Sequence, residues 1–258
     1  MPFTQGLWVL GYGSLIYKPP PHYKYRMPGI IYGYARRFWQ SSSDHRGTPE
    51  SPGRVVTLIP YEDIISDSKF NENIEHYLEN NTTDPIRGKK KKLSEKDLSI
   101  IGVAYYIPPD YAQEVHQYLN VREQDGYTIH SIEIHLPSLS ENTTHDMDLK
   151  NALNILPIEQ NPQTGNKYHV LTSSVYIGTK KNQSFVGLES ISDTAKVIAS
   201  SVGPSGTNYE YLILLYKSIN EILNNFEHKL RIKRRDLYLE ELVKKTKELY
   251  EYAEPSWI

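Results

Sequence analysis

The chain has 258 residues, 23% of them charged and 38% hydrophobic, and a formal net charge of −2, a composition that allows a sizeable core and gives no overall drive toward nucleic acid or an anionic membrane. The absence of cysteine excludes disulfides, a thiol nucleophile and thiolate metal ligands, and fits a cytoplasmic location. No stretch approaches the roughly 18 apolar residues of a membrane span, and residues 1–16 lack the charged-then-apolar order of a signal peptide.

Residues 7–10 read as a short buried strand that runs into the turn Gly11-Tyr12-Gly13-Ser14, with Pro19-Pro20-Pro21 forbidding regular structure just beyond it. Residues 29–39 form one or two strands. Residues 41–50 are turn-like, and residues 54–59 form another strand. Residues 61–98 lose periodicity and are rich in Asn, Asp, Ser, Glu and Lys, which predicts a polar surface insertion. Strand character returns over residues 100–107 and stops at Pro108-Pro109. Tyr111, Val115, Tyr118 and Leu119 recur at helical spacing over residues 110–120, with Asp110 placed as an N-cap. Residues 128–136 form a strand, residues 137–167 a second polar insertion, and residues 168–177 the last clear strand. Residues 192–202 and 209–226 form amphipathic helices separated by Gly203-Pro204-Ser205-Gly206, and a final helix runs from about Asp236 to Tyr252. Strands and helices are not regularly interleaved. That predicts an α+β fold, a small, mostly antiparallel β-barrel or sheet with flanking helices, as a single domain over residues 1–258.

The glycine-bearing turn suits backbone N–H groups facing an anion, because Gly permits close approach. It matches no familiar phosphate or acyl-transfer motif. A dinucleotide fingerprint needs Gly where Ile16 stands, a Walker loop needs Gly-Lys-Ser/Thr, and a nucleophile elbow needs Gly where Tyr12 and Ile16 stand. An ordinary strand–turn and a binding loop both remain open on spacing alone. Residues 41–50 hold Ser, Asp and His, but adjacent Asp44 and His45 do not readily form a triad bond, and a structured loop suits them better. The nine His show no metal-ligand spacing, so no metal is expected. The basic run Arg87-Gly88-Lys89-Lys90-Lys91-Lys92 reads as a solvated loop, and Glu123 by itself as a surface carboxylate.

Taken together and in order, several segments resemble the ChaC-type family of glutathione-specific γ-glutamylcyclotransferases. They are Trp8-Val9-Leu10-Gly11-Tyr12-Gly13-Ser14-Leu15-Ile16, Gly33-Tyr34-Ala35-Arg36-Arg37-Phe38-Trp39-Gln40, Ser43-Asp44-His45-Arg46-Gly47-Thr48-Pro49 and Pro52-Gly53-Arg54-Val55-Val56-Thr57-Leu58. Tyr118-Leu119 with Arg122-Glu123 and Gly126-Tyr127 follows, then Val175-Tyr176-Ile177, residues 201–212, and Asp236 with Tyr238-Leu239. The resemblance skips only residues 61–98 and 137–167, and Tyr17 stands where the family usually has Trp. It implies that glutathione is cyclised to 5-oxoproline with release of Cys-Gly, with Glu123 as general acid/base. Substrate contacts are implied at Val9, Leu10, Gly11, Tyr12, Gly13, Ser14 and Leu15, and at Arg54, Tyr127 and Tyr176. No cofactor, metal, nucleic acid, membrane or obligate protein partner is implied. Three rivals remain: a cyclotransferase for other γ-glutamyl compounds, a binding module that has lost its chemistry, and hydrolysis by Ser14.

Overall fold

The computed structural model describes residues 6–78, 92–122, 128–138, 147–160, 165–230 and 235–253. Among them, in chain order, are β1 (Leu7–Gly11), β2 (Tyr25–Tyr32), β3 (Tyr34–Ser42), β4 (Gly53–Pro60), α1 (Tyr61–Ser66), α2 (Ser68–His76), β5 (Ser99–Ile107) and α3 (Pro109–Arg122). Then follow β6 (Thr128–Pro137), α4 (Met147–Asn154), β7 (Ile158–Gln160), β8 (Lys167–Ile177), α5 (Ile191–Ser200), β9 (Val202–Gly203), β10 (Gly206–Thr207), α6 (Asn208–Leu230) and α7 (Leu237–Ala253). One-turn 3-10 helices stand at Ser14–Ile16 and Glu95–Asp97. The class is α+β, as the irregular succession of strands and helices implies. Contacts gather the chain into two compact units, the first from Met1–Tyr32, Ile101–Ile177 and Glu221–Ile232, the second from Gly33–Ile100, Gly178–Asn220 and Lys233–Ile258.

The first unit is built on a six-stranded sheet in the order β1-β5-β2-β6-β8-β7. The pairs β1/β5, β2/β6, β6/β8 and β7/β8 are antiparallel. Ile132, Ile134 and Leu136 of β6 are buried and alternate with more exposed neighbours, the period of a strand with one face on the core. β5 is buried almost throughout, from Ile101 to Tyr105, as befits a strand flanked by β1 and β2. The sheet does not close into a barrel, but side chains link β1 to β8. The Ser173 hydroxyl donates to the Trp8 carbonyl at 3.0 Å.

In α3, Pro109 takes the first helical position, where its missing N–H has no intrahelical acceptor to lose. Asp110 therefore lies in the first turn rather than at the cap. Ala112, Val115 and Leu119 form the buried face, while Tyr111 and Tyr118 point outward. Within residues 137–167, α4 buries Ala152 and Leu153, and β7 adds a short strand with exposed side chains to the sheet edge.

The second unit centres on the β3–β4 hairpin, which pairs antiparallel with a register shift between Arg37 and Gln40. Gly33, at φ +77°, separates β2 from β3. A residue with a Cβ is strained in that conformation, so one apolar run becomes two strands. Trp39 is fully buried, with Phe70 tilted against it at 5.0 Å. Around them pack Ala35, Ile59, Ile64, Ile74, Leu93 and Leu98. Residues 61–78 thus supply core, where the sequence predicts a polar surface insertion. Their periodicity is hidden because Asp67 interrupts it. Its carboxylate accepts from the Lys69 and Phe70 N–H groups and starts a second helix. Two β3 arginines are buried as well. Arg37 lies 4.3 Å from the Tyr238 ring centre and donates to Asn73, and Arg36 stands 3.8 Å from Asp236.

No helix among the described residues is long and apolar enough to cross a membrane.

His169 on β8 is 8% exposed. Burial holds its imidazole below the ordinary value of 6.5, with a hydrogen bond to the Leu153 backbone working the other way. On acidification the unfolded chain takes up this proton before the folded one does, so stability declines as pH falls through ~6.5. The urea midpoint is expected to drop between pH 7 and pH 5.5, and to drop less in His169→Gln.

Candidate active site

The expected binding loop follows β1 directly. Val9 and Leu10 are buried at 5% and 3% exposure and pair with Tyr105 and Ala104 of β5. The chain then folds back on itself. A Cβ on Gly11 would stand 2.7 Å from the Leu15 Cβ, so only Gly fits. The 3-10 turn closes with Ile16 N–H donating to the Gly13 carbonyl at 2.9 Å and Tyr17 and Lys18 N–H donating to the Ser14 carbonyl at 3.2 and 2.8 Å. Carbonyl and N–H point in opposite directions across a trans peptide. With the Gly13 and Ser14 carbonyls turned into the helix, the Ser14 and Leu15 N–H groups face out of its N-terminal end, without intrahelical acceptors.

The far side of the turn is held from the sheet. The Tyr105 phenol, fully buried on β5, donates to the Leu15 carbonyl at 2.8 Å. Burial pushes its pKa up, so it remains a donor across the neutral range. Arg26 donates to the Ile16 carbonyl at 3.4 Å.

The C-terminal turn of α3 meets the same region from the other side. Arg122 Nη2 donates to Ser14 Oγ at 2.6 Å. The Tyr176 hydroxyl donates to Asn120 Oδ1, and Tyr12 donates through its own hydroxyl to the Tyr176 carbonyl at 2.6 Å. Gly11, Tyr12, Gly13, Ser14, Leu15 and Tyr176 are thereby brought together in the first unit. Asn120, Arg122, Tyr105 and Arg26, none of them among the expected contacts, join them. An Arg in the last turn of a helix, favourable toward the helix C-terminus, was the available signal for Arg122. Glu123 and Tyr127, the expected acid/base and one expected contact, lie outside the described residues.

Arg54 belongs to the second unit. This expected substrate contact pairs bidentately with Glu189, Nε at 2.9 Å and Nη2 at 2.7 Å. Its Nη1 donates to the Gly53 carbonyl at 3.1 Å, and Glu189 also accepts from Thr194 at 3.0 Å. The fully buried Asn208 grips the Arg54 backbone, accepting from its N–H at 2.6 Å and donating to its carbonyl at 2.7 Å. Nearby, Arg46 pairs with Glu210 at 2.6 Å. Asp44 lies 3.4 Å from His45 Nε2, an ion-pair contact rather than a triad hydrogen bond, while His45 Nδ1 lies 3.3 Å from Ser205 Oγ. About half of each of the two side chains is exposed, which makes this a surface network tying two loops rather than an enclosed triad. Among the described residues no group of three His, Asp or Glu could hold a metal ion.

Asn208→Ala leaves two backbone groups of Arg54 without partners, and unfolding free energy is expected to fall by about 2 kcal/mol or more. Asn208→Asp, which keeps the acceptor and loses the amide donor, should fall between. Urea titrations of the three proteins check this order.

The family described as ChaC-like protein matches residues 7–249 of the chain. A glutathione-specific γ-glutamylcyclotransferase of Saccharomyces cerevisiae is 55% identical over 219 residues, 85% of this chain and 88% of the relative. That of Schizosaccharomyces pombe is 36% identical over 84% of each chain. A crystal structure of a γ-glutamyl cyclotransferase specific to glutathione from yeast superposes with a TM-score of 0.81 at 49% identity, covering 97% of this chain and 99% of the other.

Proposed function

Because this chain belongs to the ChaC-like family, we propose that it is a glutathione-specific γ-glutamylcyclotransferase, a lyase that degrades glutathione to 5-oxoproline and Cys-Gly. The observation that carries the reading is the kinship with the yeast enzyme of that name, 55% identical over 85% of the chain. The match through residues 7–249 also supports one catalytic domain spanning the sequence. The cytoplasm, where glutathione is abundant and cysteine stays reduced, is its proposed location.

The reaction is intramolecular. The α-amine nitrogen of the γ-glutamyl group bonds to its own γ-carbonyl carbon, the bond from that carbon to the cysteinyl nitrogen breaks, and the five-membered lactam leaves with Cys-Gly. No water enters and no protein nucleophile is needed. The protein's first task is to keep the γ-glutamyl group bent, and orientation of this kind is worth about 7–11 kcal/mol in favourable intramolecular cases. The outward N–H groups of Ser14 and Leu15 suit the α-carboxylate or the oxyanion that develops on the γ-carbonyl. Tyr12 and Tyr176 frame the turn. Arg54 serves its own unit through Glu189.

Protons must move between two nitrogens. The α-ammonium loses one to become a nucleophile and a second once its bond to the γ-carbon forms, ending as the lactam N–H, while the departing cysteinyl nitrogen gains two and leaves as the ammonium of Cys-Gly. Glu123 relays protons from the first nitrogen to the second. A positioned acid/base contributes about 10²–10⁴ in rate.

Incubation of the purified protein with glutathione and mass spectrometry of the products tests the reading. 5-Oxoproline with Cys-Gly is expected. Free glutamate would instead indicate hydrolysis, and faster turnover of γ-glutamyl-alanine or γ-glutamyl-lysine would move the substrate class. Glu123→Gln is expected to bind glutathione and lose about 10²–10⁴ in kcat. Retention of more than about a tenth of kcat removes Glu123 from the acid/base role.

A further inference from the structure

Among the described residues, Ser14 Oγ accepts from one charged side chain, Arg122, across 108 residues of sequence, with Nη2 to Oγ at 2.6 Å. The chemistry of that pair is one-directional. A guanidinium has donors and no acceptor, and it does not give up its proton in a protein. A hydroxyl in contact with it must accept. Ser14 Oγ therefore spends a lone pair on Arg122, and its single hydrogen is left to point elsewhere.

The hydroxyl shares its residue with one of the two outward N–H groups of the 3-10 turn. We infer that Arg122 is a positioning residue that fixes Ser14 as a donor, so that its hydroxyl and the Ser14 and Leu15 N–H groups form a three-donor seat for the α-carboxylate of the γ-glutamyl group. The inference rests on the function proposed above and assigns a specificity to it. A seat made only of donors, with a guanidinium behind it, favours a carboxylate over a neutral group at the α-carbon. It has a second consequence for Ser14. The partner that touches its oxygen cannot act as a base, so the contact makes Ser14 a poor nucleophile and a good donor.

The probe is a substrate lacking only the group in question. 4-Aminobutyryl-Cys-Gly keeps the amine, the γ-carbonyl and the Cys-Gly leaving group of glutathione, and cyclises to 2-pyrrolidinone by the same bond changes. It has no α-carboxylate. The kcat/KM for glutathione and for this analogue are measured in the unsubstituted protein, Ser14→Ala, Arg122→Met, the double variant and Arg122→Lys, with thermal unfolding of each.

Ser14→Ala and Arg122→Met should each lose about ten- to a hundredfold in kcat/KM for glutathione, the range of a hydrogen bond to a charged group. The loss should fall mainly on KM, and the analogue should change by less than about threefold. The double variant should be little worse than Ser14→Ala, since Arg122 acts through the hydroxyl that Ser14→Ala removes. Arg122→Lys keeps a cationic donor and should recover part of the loss. An equal loss on both substrates overturns the inference, because a merely distorted turn would act on both. Additive losses in the double variant overturn it as well. Turnover of glutathione with undiminished discrimination in the variants overturns this inference alone, whereas an unsubstituted protein that never forms 5-oxoproline takes the proposed function down with it.

Discussion

Two side chains from the last turn of α3 set the geometry of the turn after β1. Arg122 ends on Ser14, and Asn120 receives the Tyr176 hydroxyl. One bond fixes the helix end to the turn after β1, and the other fixes it to β8. Glu123 is the next residue in the chain. Holding three remote segments together carries a large conformational entropy cost, which the β1-β5-β2-β6-β8 sheet and its buried Val103, Tyr105, Ile134 and Val175 offset. The polar bonds then select one arrangement among the compact ones the apolar core allows.

The environment of the turn is asymmetric, and the asymmetry follows from where its peptide groups point. Its carbonyls are satisfied internally, those of Gly13 and Ser14 by the 3-10 helix and that of Leu15 by a phenol that burial keeps protonated. What faces outward is therefore mostly N–H. A site of this kind needs no bound cation to attract a carboxylate, since the partial positive charge is built from the backbone itself.

Much of this was legible in the amino-acid order. The strands around Val9, Val56, Ala104, Ile132 and Val175 announce themselves by apolar runs bounded by Gly and Pro, and Tyr211, Leu212, Leu215, Ile219 and Ile222 mark the buried face of α6. What escaped is where local pattern is short or interrupted. Ile64, Phe70 and Ile74 belong to two helices broken by the cap at Asp67, so neither helix is long enough to display its period. Tyr111 and Tyr118 share helical spacing with Val115, yet face solvent, because period alone does not say which stripe is covered. The site residues carried by the Gly-Tyr-Gly-Ser turn stood out by composition. Their supports, Tyr105, Asn120 and Arg122, did not, because a contact between residues 90 or 108 positions apart leaves no local trace. Arg54 illustrates the converse. The resemblance marks it as a substrate contact, and nothing local announces its pairing with Glu189, 135 positions away.

The grip of Asn208 on Arg54 has a meaning beyond holding that arginine. Its side-chain amide presents an acceptor to the N–H and a donor to the carbonyl of the same residue, the pair of bonds an adjoining strand would make. Among the described residues β4 belongs to a two-stranded ladder, and the outer edge of such a strand presents backbone groups able to pair with another chain. By acting as a one-residue counterfeit of that missing neighbour, Asn208 occupies the first rung of this edge, and the Tyr211 hydroxyl, accepting from the Val56 N–H, occupies the next.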